Sequence, residues 1–384
     1  MKQTLLRTKT PIKCAIVGYG YWGRNVLVAL CNQHRFCLKG VYDIDIAQAQ
    51  NALNDFATLT SLKSSLKSKV SLKSSTKITN TTHDTKLQDS NLQDLQNPTN
   101  ALDSQDIILA YHSYEAILKD DEIEAIFIIT PPNTHFSLAK SALSAGKNVF
   151  VEKPLTQSVQ EAQALYELAN SKNLTLHCDH IFIYSPAVAW LKQNLASFGE
   201  ILYVQARRIN LGLFQNGVSV VWDLALHDLS ILDFLFGLDI ISHSVHCKCY
   251  EGFEAYANIQ LECKNFSANL TASWLSPIKS REIMIGGRQK SAIYDETKQD
   301  KIALFDCGVV VEKSIEKHSL YQKMVRYHLG EVSYPKLSCE LPLDISIRAF
   351  GEQVERGGSD KWQQEHILRV IGALERICQN IQTT

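Results

Sequence analysis

The stretch that most constrains this chain is Cys14-Ala15-Ile16-Val17-Gly18-Tyr19-Gly20-Tyr21-Trp22-Gly23. An apolar run ending in glycines at i, i+2 and i+5 reads as a buried strand entering a helix through a tight turn. Each glycine has its own task. Gly18 makes the turn, Gly20 lets the backbone approach a pyrophosphate, and Gly23 lets helix and strand pack closely. The free N–H groups and positive dipole end of the helix starting near Gly23 would face the phosphates, with Tyr21 and Trp22 in the turn beside them. A glycine-rich turn alone is weak evidence, so the flanking residues matter. Val26, Leu27 and Leu30 give the next helix an apolar face, and a second strand ends at Val41-Tyr42-Asp43. Asp43 follows Gly23 by 20 residues, where a dinucleotide fold places the carboxylate that binds the adenosine ribose. The pattern predicts a dinucleotide site. A carboxylate there repels a 2′-phosphate, so NAD is expected ahead of NADP. Arg24 and the lysine-rich segment described below are the groups that could oppose that preference.

At 384 residues the chain is long enough for two domains, each with its own core. A formal net charge of −1 gives no electrostatic case for nucleic acid or an anionic membrane as partner. Residues 1–13 hold only Leu5, Leu6 and the isolated Ile12 as strong apolar residues, too few for a secretory leader, and no later run is apolar for long enough to span a bilayer. The ten cysteines are scattered and form no CxxC, which suits reduced thiols and a cytoplasmic location.

After Asp43 the segment Ile46 to Phe56 reads as a second helix. From about residue 58 to 105 the chain turns rich in Ser, Lys, Thr, Asn and Gln, with an imperfect Ser-Leu-Lys-Ser repeat at 61–64, 65–68 and 71–74. Its apolar density is too low to offset ordering entropy, which predicts a disordered surface insertion. Regular structure resumes at Ile107 to Leu109 and in a short helix from Tyr114 to Leu118. Ala125-Ile126-Phe127-Ile128-Ile129 reads as an inner strand of a parallel sheet, buried on both faces. It ends in Thr130-Pro131-Pro132-Asn133-Thr134-His135, and a helix from His135 closes at Gly146. The next strand, Asn148-Val149-Phe150-Val151, delivers Glu152-Lys153-Pro154 at its carboxyl end, the edge where open parallel sheets bind ligands.

In their order and spacing, once the polar insertion is removed, these motifs resemble the glucose–fructose oxidoreductase/inositol dehydrogenase/rhizopine-catabolism (Gfo/Idh/MocA) oxidoreductases. The residues that carry the resemblance are Gly18 to Gly23, Asp43, Thr130 to His135 and Ala145 to Pro154. It implies that Lys153 lies beside the nicotinamide and the reacting hydroxyl. It also implies that Glu152, Asn133 and His135 line the cofactor side, with Thr130 and Pro131 among the binding residues, and that Pro154 follows a cis bond. The chemistry agrees: an ammonium near a substrate oxygen stabilises a developing alkoxide or joins a proton relay.

Beyond this point Ser158-Val159-Gln160-Glu161 is a capping box opening a helix to about Ala169. His177-Cys178-Asp179-His180 lies on extended chain, where neighbours point to opposite faces, so no metal site is expected. From Ile201 the period changes to two, through Ile201 to Ile209, Ala255 to Cys263, Phe266 to Trp274 and Arg281 to Ile285. Such alternation predicts a large, mostly antiparallel sheet. It also splits His243, His246, Cys247 and Cys249 between two faces, which again argues against a metal. The chemistry of this half concentrates in Trp222 to Leu232. In a helix, Asp223 and His227 stand at i and i+4 on one face, where a carboxylate would orient the imidazole as a general base. The resemblance likewise implies an Asp-x-x-x-His pair, with the histidine as acid/base. Asn210 to Phe214 and Tyr327 to Val332 resemble a branch associated with nucleotide-sugar or surface-sugar synthesis. Leu226 departs from the family, where many relatives carry proline or glycine. Asp344 to Arg356 and an amphipathic helix from Trp362 to Asn380 close the chain.

The expectation is an α/β protein with an N-terminal Rossmann domain over residues 1–155 and a C-terminal α+β domain with an open sheet over 156–384. Lys153, His227 and Asp223 would be catalytic. The reaction expected is hydride transfer between a nicotinamide and a secondary hydroxyl or ketone of a sugar, cyclitol or nucleotide-sugar, carried out by a homodimer or homotetramer. The alternatives are an NAD-binding regulatory or scaffold protein without turnover, and an aldose-type oxidoreductase that retains its cofactor.

Overall fold

The computed structural model describes residues 10–73, 108–214, 217–311, 325–379 and 382–383. Its first sheet is parallel and six-stranded: β1 (Ile12–Val17), β2 (Phe36–Tyr42), β3 (Leu109–Ala110), β4 (Ala125–Ile128), β5 (Asn148–Glu152) and β6 (Leu176–Asp179). The spatial order is β3-β2-β1-β4-β5-β6. Strand order therefore reverses between β1 and β4, and a crevice opens beyond their carboxyl ends. Every residue of β4 is buried, as its unbroken apolar run requires for a strand covered on both faces. The sheet runs past residue 155, because β6 pairs with β5 from Val149↔Leu176 to Glu152↔Asp179.

The connections are α1 (Gly23–Cys31), α2 (Ile46–Lys73), α3 (Tyr114–Lys119), α4 (His135–Ser144) and α5 (Val159–Ser171). Helix α2 corrects the expectation of disorder from residue 58: it continues through the first repeats to Lys73. No glycine or proline interrupts residues 46–73. The hydroxyls of Thr58, Thr60 and Ser61 donate to the carbonyls of Asn54, Phe56 and Ala57 one turn back, and Lys63 Nζ donates to the Cys31 carbonyl on α1 at 2.6 Å. Polar side chains that bond within the helix or to its neighbour reduce the need for an apolar face. The rest of the expected insertion, 74–105, lies outside the described residues.

The second sheet comprises β7 (Ile201–Leu211), β8 (Ile240–Tyr250), β9 (Phe253–Cys263), β10 (Ser267–Ser273), β11 (Leu275–Gly287), β12 (Ser291–Asp295), β13 (Ile302–Val311), β14 (Val325–Ser333) and β15 (Gln382–Thr383). Its order is β14-β13-β12-β11-β7-β10-β9-β8-β15, antiparallel except that β7 runs parallel to β10 and β8 to β15. Alternation buries one face: Ala255, Ala257, Ile259, Leu261 and Cys263 of β9 all point inward. Four further α-helices complete the described residues, α6 (Pro186–Asn194), α7 (Leu226–Phe236), α8 (Pro342–Arg356) and α9 (Lys361–Gln379).

The last two helices return to the first sheet. Phe350 of α8 stacks on Phe36 and meets Phe127 and Phe150 edge-on, with centroids 5.5–5.9 Å apart. Ser346 Oγ donates to Asp179 Oδ1 at 2.7 Å. On α9, His366 Nδ1 lies 2.6 Å from Asp233 of α7, and Arg369 donates to both oxygens of the same carboxylate.

Candidate active site

The glycine turn has the geometry its spacing predicts. Gly18 has φ +93°, and a Cβ there would lie 2.5 Å from the Ile129 carbonyl oxygen, so only glycine fits. A Cβ on Gly23 would lie 2.8 Å from the Gly18 oxygen, which shows how closely α1 approaches β1. Gly20 differs: a Cβ there would meet nothing within 4 Å. No side chain caps α1 and no acid occupies its first turn, so its positive end keeps free N–H groups. Asp43 follows β2, its Oδ2 accepting from the Tyr19 N–H at 2.6 Å and its Oδ1 from the Asp45 N–H at 2.9 Å. These bonds fix the carboxylate against the turn. Tyr21 is exposed and Trp22 half-buried.

The β4 end is held by Thr130, whose Oγ1 is 2.7 Å from that of Thr134. Pro131 and Asn133 are exposed at the same edge. His135 corrects an expectation. Its ring is fully buried, with Nδ1 2.7 Å from the Pro154 carbonyl and Nε2 2.8 Å from the Thr130 carbonyl. It ties the β4 loop to the β5 loop and has no surface left to line a cofactor. Burial pushes its proton affinity down.

At the end of β5, Lys153 precedes a cis bond to Pro154. Its ammonium donates to Asp223 Oδ1 at 2.8 Å and to the Asp223 carbonyl at 3.0 Å, and Asp223 Oδ2 accepts from the Trp274 indole N–H at 3.0 Å. Neighbouring Glu152 lies close to Asp179. Burial is the larger cause that raises both above the ordinary carboxylate range, and Asp179 pushes Glu152 further.

His227 is half-buried at the start of α7, its ring edge-on to Phe182 at 4.9 Å. The expected Asp223–His227 contact is absent. Val221–Ala225 winds as a π turn ahead of α7, which shifts the helical register between the two residues, and Lys153 and Trp274 occupy the Asp223 oxygens. Among the described residues the His227 imidazole has no hydrogen-bond partner. Burial holds it well below its usual pKa, and Lys153, Arg208 and Arg281 act in the same direction. It is therefore a neutral proton acceptor near neutral pH.

The cluster from His177 to His180 disperses. His177 stacks on Phe150, Asp179 meets Ser346, and His180 Nδ1 reaches Ser230 Oγ at 2.9 Å and His366 Nε2 at 3.1 Å. Among the described residues no group of three or more His, Cys, Asp or Glu could hold a metal ion, and no helix is long and apolar enough to cross a membrane.

Comparison with known proteins adds to this geometry. Residues 12–180 match the family model described as an oxidoreductase family with an NAD-binding Rossmann fold. Over that first part, which is less than half of its length, the chain resembles the Gfo/Idh/MocA oxidoreductases. Among similar proteins is the UDP-N-acetylglucosamine 3-dehydrogenase of Acidithiobacillus ferrooxidans, 37% identical over 133 residues, which are 34% of this chain and 41% of that one. The scyllo-inositol 2-dehydrogenase (NAD(+)) of Bacillus subtilis is 29% identical over 137 residues, 34% of this chain and 40% of that enzyme. The chain thus spans about two fifths of the length of these curated relatives.

Solved structures extend the likeness in fold. The A. ferrooxidans dehydrogenase superposes with a TM-score of 0.68 at 20% identity, covering 97% of this chain and 98% of that one. A 3-ketoreductase from Actinomadura kijaniata, in complex with TDP-benzene and NADP, gives 0.70 at 16% identity, with 97% and 98% covered.

Four groups around the site carry no signal of that place in the local sequence pattern: Asp179, Phe182, Trp274 and Arg281. The sequence around Asp179 suggests only a metal cluster, which its place beside Glu152 and Ser346 replaces. Trp274 and Arg281 stand in alternating strand patterns; the packing of the π turn brings Trp274 to Asp223 and the register of the second sheet sets Arg281 opposite Arg208.

Proposed function

We propose that this chain is an NAD(P)-dependent oxidoreductase that moves a hydride between a nicotinamide and a secondary hydroxyl or ketone of a sugar, cyclitol or nucleotide-sugar. One observation carries the reading: the Lys153 ammonium, delivered by β5, is anchored 2.8 Å from Asp223 in the turn leading to His227. The open space at Gly20, the uncapped α1 and the fixed Asp43 carboxylate fit a dinucleotide. Gly18, Gly20, Gly23 and Asp43 would hold it, and Thr130, Pro131, Asn133 and Glu152 stand at the same sheet edge. When bound, the nicotinamide supplies or accepts the hydride.

The protein's own residues handle the proton and the charge. Lys153 donates a hydrogen bond to the reacting oxygen and stabilises negative charge developing there. Neutral His227 takes the hydroxyl proton in the oxidative direction and returns it in the reductive one. Asp223 restrains the Lys153 ammonium and leaves His227 unpartnered. NAD is favoured over NADP because Asp43 repels a 2′-phosphate, while Arg24 is drawn to Asp55 at 3.4 Å.

The relatives' names support sugars and nucleotide-sugars as the substrate class. The reading includes a nucleotide-binding unit, a substrate unit and assembly of copies through the outer face of the second sheet, where Tyr203 and Gln260 are exposed. Light scattering that returned a monomer would exclude that assembly. A panel of sugars, cyclitols and nucleotide-sugars, followed by the absorbance of reduced nicotinamide, tests the activity. Turnover of none of them, with NAD or NADP, would overturn it.

A further inference from the structure

Two arginines face each other on the inner side of the second sheet. Arg208 of β7 is the register partner of Arg281 of β11. Like charges at opposed positions of an antiparallel pair destabilise it unless each is neutralised. Arg208 is neutralised: its Nε and Nη2 donate to Asp228 Oδ1 at 2.9 and 2.7 Å, in a buried pair. Arg281 is not. Among the described residues its half-buried side chain makes no hydrogen bond and no ion pair.

The carboxylates near Arg281 are already engaged. Glu296 is held by Lys301 at 2.9 Å and by the Tyr294 hydroxyl. Asp223 is held by Lys153 and Trp274, and Glu282, the next residue on the strand, faces Arg207 at 3.7 Å. Burial and the Arg208 charge both lower the proton affinity of Arg281, as expected of a cation lacking its counter-ion.

Location gives this cation a role. The Arg208 guanidinium lies 4.5 Å from the Phe182 centroid, and the same ring lies 4.9 Å from His227. The arginine pair is thus one aromatic ring away from the proposed acid/base. We propose that Arg281 is the anion-binding group of the substrate pocket, pairing with a carboxylate or phosphate oxygen of a ligand held beside His227. A planar guanidinium suits such an oxygen pair, and partial burial strengthens the contact. The inference deepens the oxidoreductase reading by requiring an anionic substrate.

Calorimetric binding to the full chain at saturating NAD tests it without turnover. Three probes are used: UDP-glucose for the diphosphate, glucuronate for the carboxylate, and myo-inositol as the uncharged control. Arg281→Gln should weaken the anionic probe that the wild type binds by about tenfold or more, with Arg281→Lys in between and myo-inositol unchanged. Its Tm should hold or rise, since a repulsion is removed; a purely structural arginine would lower it. Loss confined to UDP-glucose assigns the phosphate, and loss confined to glucuronate assigns the carboxylate. Unchanged anion affinity in Arg281→Gln, or a wild type that binds neither anion, overturns the proposal. Arg281-dependent binding without hydride transfer would instead count against the oxidoreductase reading alone.

Discussion

Lys153 and Asp223 are 70 residues apart in the chain, yet their side chains meet at 2.8 Å where the first sheet approaches the second. The pair is mostly buried, with 18% and 17% of the side chains exposed. A lysine in that setting loses the freedom it would have on a surface, so its ammonium is presented at one place. Trp274 braces the carboxylate from the other side.

Lys153→Met removes the ammonium and keeps the length of the stem. The hydride-transfer rate should fall by about 10²- to 10⁴-fold, while NAD binding, read by fluorescence titration, changes little. A protein that only bound nucleotide would show no rate to lose.

Gly18→Ala and Gly20→Ala separate folding from binding. The first places a methyl against the Ile129 carbonyl at a φ of +93°, and should cost about 1–3 kcal/mol in stability. The second meets no protein atom, so its Tm should match the wild type while NAD affinity drops. Equal NAD affinity in Gly20→Ala and wild type would remove the phosphate cradle from the account.

Asp43→Ser should shift cofactor preference toward NADP, measured as the ratio of kcat/KM for the two cofactors. The carboxylate that repels a 2′-phosphate is gone, and a hydroxyl remains to meet the ribose. A ratio that stays put would mean Asp43 serves only its bonds to Tyr19 and Asp45.

The pH dependence of stability follows from the buried carboxyls. Burial raises Glu152 to about 8 and Asp179 to about 7, against roughly 4 in an unfolded chain. The folded state binds more protons over that interval, so stability falls as pH rises through it and levels off above the folded values. Buried histidines act oppositely. His177, lowered to about 3 by burial, makes the folded state bind fewer protons, and its effect is complete above about 6.5. Between pH 6.5 and 8 the carboxyl pair should therefore dominate, and Tm should decline. Glu152→Gln should flatten that decline; an unaltered slope would sink the assignment.

What could be read from the sequence was whatever depends on short spacing. The glycine turn, Asp43 and the strand-end Lys153 lie within successive strand–helix–strand units, so their relative places follow from local geometry. Asp223 and His227 show the limit of that approach: four residues apart, they would share a face in an α-helix, but the intervening π turn sends the carboxylate to Lys153. His135 was placed on the cofactor side by its motif, yet two backbone carbonyls enclose it. The partnership of Arg281 with Arg208 depends on the register between β11 and β7, and that of Asp179 with Ser346 on where α8 docks. Composition misjudged residues 58–73, because hydroxyls bonded back to the preceding turn sustain a helix that side-chain polarity argues against.

The docking of Phe350 among Phe36, Phe127 and Phe150 has a consequence for how the protein can be divided. Three rings of the first sheet rely for their cover on α8, more than three hundred residues downstream of the glycine turn. A fragment ending at the family match would leave an oily seam open to water. Ribosome-bound chains must wait for α8 before that seam can close, so a truncation ahead of residue 342 would strip the cover from the strands that carry the glycine turn.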